Sequence, residues 1–218
     1  MKITRDTLAV LRNFASINSN LLIEKGNVLR TINSQKNVLS DAAVIEDFPK
    51  NFGIYDLNEF LGVIGLFTDP DIEFKDKFAV IKEGSSSVKF YAADAAVLTI
   101  PTKNIVFPEA DIEFTLTTAQ LATIQKAASQ LRAVDVSFVG DGSTLNILVG
   151  DLKNAASNSF NIGIGETIQT FTANIKIENM KLMASDYVVS LSSKKISRFV
   201  SADGKVNVFI AMESTSTF

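Results

Sequence analysis

The stretch Ile54-Tyr55-Asp56-Leu57-Asn58-Glu59-Phe60-Leu61-Gly62-Val63-Ile64-Gly65-Leu66-Phe67 is the most apolar patterned segment of the chain. Leu57, Leu61 and Ile64, with Phe60, Val63 and Phe67, recur at three- and four-residue steps. This spacing predicts a helix buried along one broad stripe, with Asp56 and Asn58 offering a capped start. Working outward, the same kind of helix recurs three more times, each between runs of short alternating strands. The recurrence predicts a scaffold of sheets covered by helices, without the signature of an active site.

Toward the N-terminus, Thr4 or Asp6 caps a first helix running to about Asn18, with Leu8, Leu11, Phe14 and Ala15 as its apolar face. Arg5 and Arg12 are seven residues apart, so they stack with Ala9 and Ser16 on the opposite side. Residues 21–23, 28–32 and 42–45 read as a meander leading to the central helix. Beyond that helix Asp69-Pro70-Asp71 reads as an ordinary loop, because its carboxylates have no third ligand at a recognisable spacing. Strand-like residues 78–81, 88–91 and 97–100 follow.

Pro101 and Pro108 bracket a connector, which predicts domains of 1–108 and 109–218. The order then repeats. A strand over 112–116 precedes a helix from Thr117 to about Leu131, with Leu121, Ile124, Ala128 and Leu131 buried and Lys126 on the other side. Gly140-Asp141-Gly142-Ser143 joins two strands and opens no helix, so it is a hairpin turn and not a phosphate loop. Strands over 159–164 and 168–177 lead to a short helix over 178–185 that carries Lys181. The pattern closes on strands at 188–191, 196–200 and 206–210.

At 218 residues, 46% hydrophobic and 21% charged, the chain holds two folded domains of ordinary size. A net charge of −3 argues against coating nucleic acid by bulk charge and leaves room for a local basic surface. There is no cysteine, hence no disulfide or thiolate metal site, and a reducing cytosol fits. There is no histidine, which removes the commonest general base and metal ligand. No catalytic constellation, metal or cofactor is expected. The charged amphipathic start and the lack of a long apolar span predict a soluble protein with no membrane partner.

The segments Leu11-Arg12-Asn13-Phe14-Ala15-Ser16-Ile17-Asn18-Ser19 and Ile54-Tyr55-Asp56-Leu57-Asn58-Glu59-Phe60-Leu61-Gly62 resemble the sliding clamp of T-even-type bacteriophages, the phage polymerase processivity factor. The similarity extends to Tyr91-Ala92-Ala93-Asp94, where Tyr91 replaces a familiar tryptophan, to Phe107-Pro108, to Asn179-Met180-Lys181-Leu182 and to the closing Glu213-Ser214-Thr215 and Phe218. The resemblance implies an α+β fold of two similar clamp domains, each with antiparallel sheets outside and two helices on the inner face. It implies a homotrimeric ring around double-stranded DNA that tethers the DNA polymerase, is loaded by an ATP-dependent clamp loader, and works in the cytoplasm of the infected bacterial host.

On that picture Arg5, Arg12, Lys126 and Lys181 face DNA through charge alone. Two half-buried alternating strands are expected to meet between subunits, one with Val88, Phe90 and Tyr91, the other with Phe160, Asn161 and Ile162. Partner peptides are expected at Val106, Phe107 and Pro108, with Phe218. The competing class is a phage tail or capsid protein assembling through sheet edges. Four helices with basic outer faces favour the ring.

Overall fold

The structure, a computed structural model, describes residues 1–154 and 156–218. The chain divides into two units, Met1–Asn104 and Ile105–Phe218. The first begins with helix α1 (Arg5–Ile17), capped by the Thr4 hydroxyl, which accepts the Thr7 amide. Strands β1 (Leu21–Ile23), β2 (Gly26–Ile32), β3 (Val38–Phe48) and β4 (Phe52–Ile54) follow. They pair antiparallel as β1 with β4 and β2 with β3. Helix α2 (Leu57–Ile64) leads to β5 (Asp71–Phe74), β6 (Phe78–Glu83) and β7 (Ser86–Tyr91), an antiparallel sheet in that order.

The second unit runs through β8 (Ile112–Leu116), α3 (Thr118–Leu131), β9 (Asp135–Asp141), β10 (Thr144–Gly150), β11 (Phe160–Glu166) and β12 (Thr170–Lys176). It closes on β13 (Tyr187–Ser192), β14 (Ile196–Ser201) and β15 (Val206–Ala211). One antiparallel sheet has the order β11-β10-β9-β12, and a second ladder runs β15-β14-β13-β8. Helix α3 starts with a capping box in which Thr117 and Gln120 satisfy each other's amides.

Each unit is cemented by aromatic rings. In the first, Phe52 lies edge-on to Phe74 at 5.1 Å, and Phe60 of α2 lies edge-on to Phe90 of β7 at 5.1 Å, so helix and sheet share one core. In the second, Phe138 sits 5.2 Å from Phe114 and 6.3 Å from Phe199. Gly53 has a special place. Ala93 donates its N–H to the Gly53 carbonyl at 2.9 Å, and a Cβ on Gly53 would stand 2.3 Å from the Ala93 oxygen. Only glycine lets the chain leaving β7 cross β4 that closely.

The fold corrects four expectations. The quoted stretch is helical only from Leu57 to Ile64, because Ile54 ends β4 and Asp56 alone caps the helix through Asn58 and Glu59 amides. On α1 the buried positions are Thr7, Val10, Leu11 and Phe14, since Thr7 turns inward to a buried carboxylate. Residues 97–100 form no strand: Asp94 accepts the Ala96 amide and starts a single 3₁₀ turn, Ala95–Val97.

Residues 178–185 form no α-helix either. A 3₁₀ turn, Ile177–Asn179, is followed by an irregular run in which Met180 and Leu182 are buried. That two-residue spacing is the spacing of an extended chain. Tyr187 pins the run by donating to the Met183 carbonyl at 3.0 Å, and burial pushes its hydroxyl up to about 12.

Candidate functional site

Arg5 and Arg12 are exposed on α1, and neither belongs to a salt bridge among the described residues. At the start of the same helix Glu46 of β3 is buried. It accepts the Thr4 N–H at 2.5 Å and the Thr7 hydroxyl, tying the start of α1 to the sheet. Burial pushes the Glu46 carboxyl up, but these donors more than offset it and leave it below the usual carboxylate value of 4.5. The arginines line a hollow of about 650 Å³ with Leu8, Leu61, Ile64, Phe67, Pro70 and Ile72.

The remaining predicted cations are sparser. Lys126 is exposed on α3 among Ala122, Thr123, Gln125 and Ser129. Lys181 sits in the irregular run after Asn179, so the structure does not place it on a helical face. Helix α2 exposes Asn58, Glu59 and Gly62 and carries no cation. The expectation of four helices with basic outer faces is corrected to three α-helices among the described residues, two of them bearing exposed basic side chains.

The edges of two sheets show a common plan. In the β5-β6-β7 sheet β7 is terminal, and the Ala92 N–H donates to Lys77 O at 2.9 Å, which fixes the alternation of the ladder. Ser86, Val88 and Phe90 therefore bond inward to β6, and Ser87, Lys89 and Tyr91 turn their backbone groups to the open edge. In the other sheet β11 is terminal. The Ile177 N–H donates to Val134 O and the Gly142 N–H to Gln169 O, so even-numbered β9 residues face β12 and odd-numbered ones face β10. Carried across β10, this turns Phe160 and Ile162 inward, and Asn161 and Gly163 outward.

The opposite edges are covered by the chain itself. Ile72 of β5 exchanges both backbone bonds with Met1, at 2.8 and 2.7 Å. Thr172 of β12 exchanges both with Thr217, at 2.9 and 2.8 Å. Asn174 adds bonds to Glu213, Thr215 and Ser216, and Lys195 donates to the Ser216 carbonyl. Sequence reading missed these covering residues, because polar terminal segments carry no periodic signal.

The predicted peptide-binding residues rest on two different floors. Val106 is 88% exposed, while Phe107 packs on Phe209 of β15 with ring centres 6.4 Å apart. Pro108 is half-buried. Phe218 stacks on Phe171 of β12 at 6.1 Å and 16°, with the Lys195 ammonium 5.5 Å from its ring. No cluster of His, Cys, Asp and Glu suited to a metal ion occurs among the described residues, and no helix there is long and apolar enough to cross a membrane.

Residues 4–100 match the family described as DNA polymerase processivity factor. The sliding clamp of Vibrio phage KVP40 is 31% identical over 98% of this chain and 100% of its own length. That of Escherichia phage RB69 is 28% identical over 100% of this chain and 99% of its own. Among solved structures, A. fulgidus PCNA bound to the C-terminal region of FEN-1 superposes with a TM-score of 0.71 at 16% identity, covering 96% of each chain, which speaks to the fold alone.

Proposed function

We propose, since this chain belongs to the sliding-clamp family of DNA polymerase processivity factors, that three copies close head to tail into a ring around duplex DNA and tether the polymerase to it. The protein works as a tether and not as a catalyst, in the cytoplasm of the phage-infected host. The observation that carries the head-to-tail joint is the pattern of edges, and threefold closure is taken from the family resemblance. Each unit contributes a sheet with one open edge, β7 in the first and β11 in the second, and the other edge of each is covered by the chain's own residues. Two unlike edges meeting repeatedly make a heterologous contact, which closes into a ring when its rotation is right.

Val88, Phe90 and Tyr91 on β7 and Phe160, Asn161 and Ile162 on β11 form the subunit contact. The outward residues include Ser87, Lys89, Asn161 and Gly163, so the joint is modest and openable, which a clamp loader using ATP exploits to place the ring on DNA without ends. Arg5, Arg12 and Lys126 hold the duplex by counterion release without reading bases, and Lys181 adds charge from its irregular segment. Polymerase and loader peptides dock on Val106, Phe107 and Pro108, with Phe218 as a second anchor. Native mass spectrometry tests the ring, which should weigh three times the 23.7 kDa chain. Arg5, Arg12 and Lys126 all changed to Glu should keep that mass and lose processive synthesis. Full processivity in that variant would remove the DNA-facing assignment.

A further inference from the structure

The hollow beside α1 is more than a charged face requires. Attraction of a duplex by charge needs only exposed cations on a polar surface, and α3 offers that in Lys126 among alanine, threonine, glutamine and serine. Beside α1 the two arginines stand over half-buried Leu8, Leu61 and Phe67, around a space of about 650 Å³. That is an apolar floor with two cations at its rim, in the size range of small-molecule sites. Asp69 in the lining, and Glu83 bonded to the backbone of that lining, are already engaged. Asp69 is bonded to Lys2, and Glu83 accepts the Thr68 and Asp69 amides at 3.0 and 2.8 Å. Arg5 and Arg12 belong to no salt bridge among the described residues, so the charge left to be met is positive.

We infer that this hollow seats one unpaired nucleotide of a DNA strand, its base against Phe67 and Leu61 and its flanking phosphates on Arg5 and Arg12. An unpaired base has an exposed aromatic face that an apolar floor accepts whatever its identity, and two arginines two turns apart match an anionic backbone passing over it. The duplex within a ring has no free base, so the ligand is the single strand where a primer ends. The inference rests on the reading of Arg5 and Arg12 as DNA-facing and adds a ligand to it.

Fluorescein-labelled oligothymidylate, titrated with the intact protein and followed by anisotropy, tests the seat. Phe67→Ala should weaken binding about tenfold with the salt slope unchanged, because a stacking surface is lost and no cation. Arg12→Gln should weaken it and lower the slope by about 0.7, the release from one single-strand phosphate. Thermal unfolding of both variants verifies that they are folded. A bromodeoxyuridine oligonucleotide should crosslink within residues 61–72. If Phe67→Ala binds like the parent, if the crosslink maps elsewhere, or if an acidic peptide crosslinks here and the oligonucleotide does not, the seat is overturned. Processive synthesis by the triple Glu variant reports on duplex holding: its loss beside unchanged oligothymidylate binding by Phe67→Ala overturns the seat alone, whereas full processivity overturns the DNA-facing reading on which the seat rests.

Discussion

The covered and the open edges of the same sheets are made of similar strands. β12 alternates buried Phe171 and Ala173 with half-exposed Thr172, and β11 alternates half-buried Ile162 with exposed Asn161. What separates them is a few terminal residues, which satisfy the outward backbone groups of Ile72 on β5 and of Thr172 and Asn174 on β12. An exposed strand edge pairs with whatever edge it meets, so specificity here comes from removing the wrong edges as much as from shaping the right ones.

Removal of residues 213–218 breaks this contrast most severely. It strips the backbone exchange with Thr172, the bonds of Asn174, the Lys195 contact and the Phe218 stack. At about 1 kcal/mol per hydrogen bond the loss of these six bonds should reach about 6 kcal/mol, with association into larger species as β12 becomes an open edge. A truncated protein that sediments as the parent and melts at the same temperature would show that the covering is incidental.

Proline at neighbouring positions of β11 sharpens it. Asn161→Pro removes a donor aimed at the open edge, while Ile162→Pro removes one bonded to Ile147 within the sheet. The first should weaken each joint by about 1–3 kcal/mol and shift trimer to folded monomer at low micromolar concentration by light scattering. The second should lower the melting temperature of the subunit itself. Reversal of the two outcomes would mean that the alternation of the ladder is inverted.

Acid separates the two covers most gently. The Glu46 carboxyl is depressed below 4.5, so its contribution is fully present above the unfolded value and fades as pH falls through the folded one. Since Glu46 holds Thr4, three residues from Met1, hydrogen-exchange protection of the Ile72 amide should fall as the pH drops below about 4.5, and that of Thr172 should not. Glu46→Gln should remove this difference and cost about 1 kcal/mol at neutral pH. Equal loss at both amides would mean that Glu46 does not govern the cover.

Much of this arrangement was legible in the sequence because it is periodic. The seven-residue step from Arg5 to Arg12 placed both on one exposed face of α1, and the alternation of Val88 and Phe90 with Lys89 and Tyr91 marked a half-buried strand. The covers were not legible, since Met1 meets Ile72 across 71 positions and no local pattern encodes such a pairing. The segment around Lys181 misled for a related reason. Met180, Leu182 and Met183 satisfy a helical template as a composition, while tertiary packing buries only the first two, in extended spacing. The hollow beside α1 needed Leu8 and Phe67 brought together from two elements, which the sequence of neither announces.

The contact of Ala93 with Gly53 also has a mechanical meaning. Strand β7 ends against the backbone of β4, whose partner β1 is buried at Leu21 and Ile23, so a pull along β7 passes straight into the centre of the first unit. Phe90, wedged on Phe60, resists the same pull sideways. In the proposed ring, tension across the joint would therefore be met by a stiff strand on this side, and the proposed seam between β7 and β11 should part before β7 peels from β6. An opening force on that proposed ring would work against that seam, and each subunit would keep its edge in register for closure.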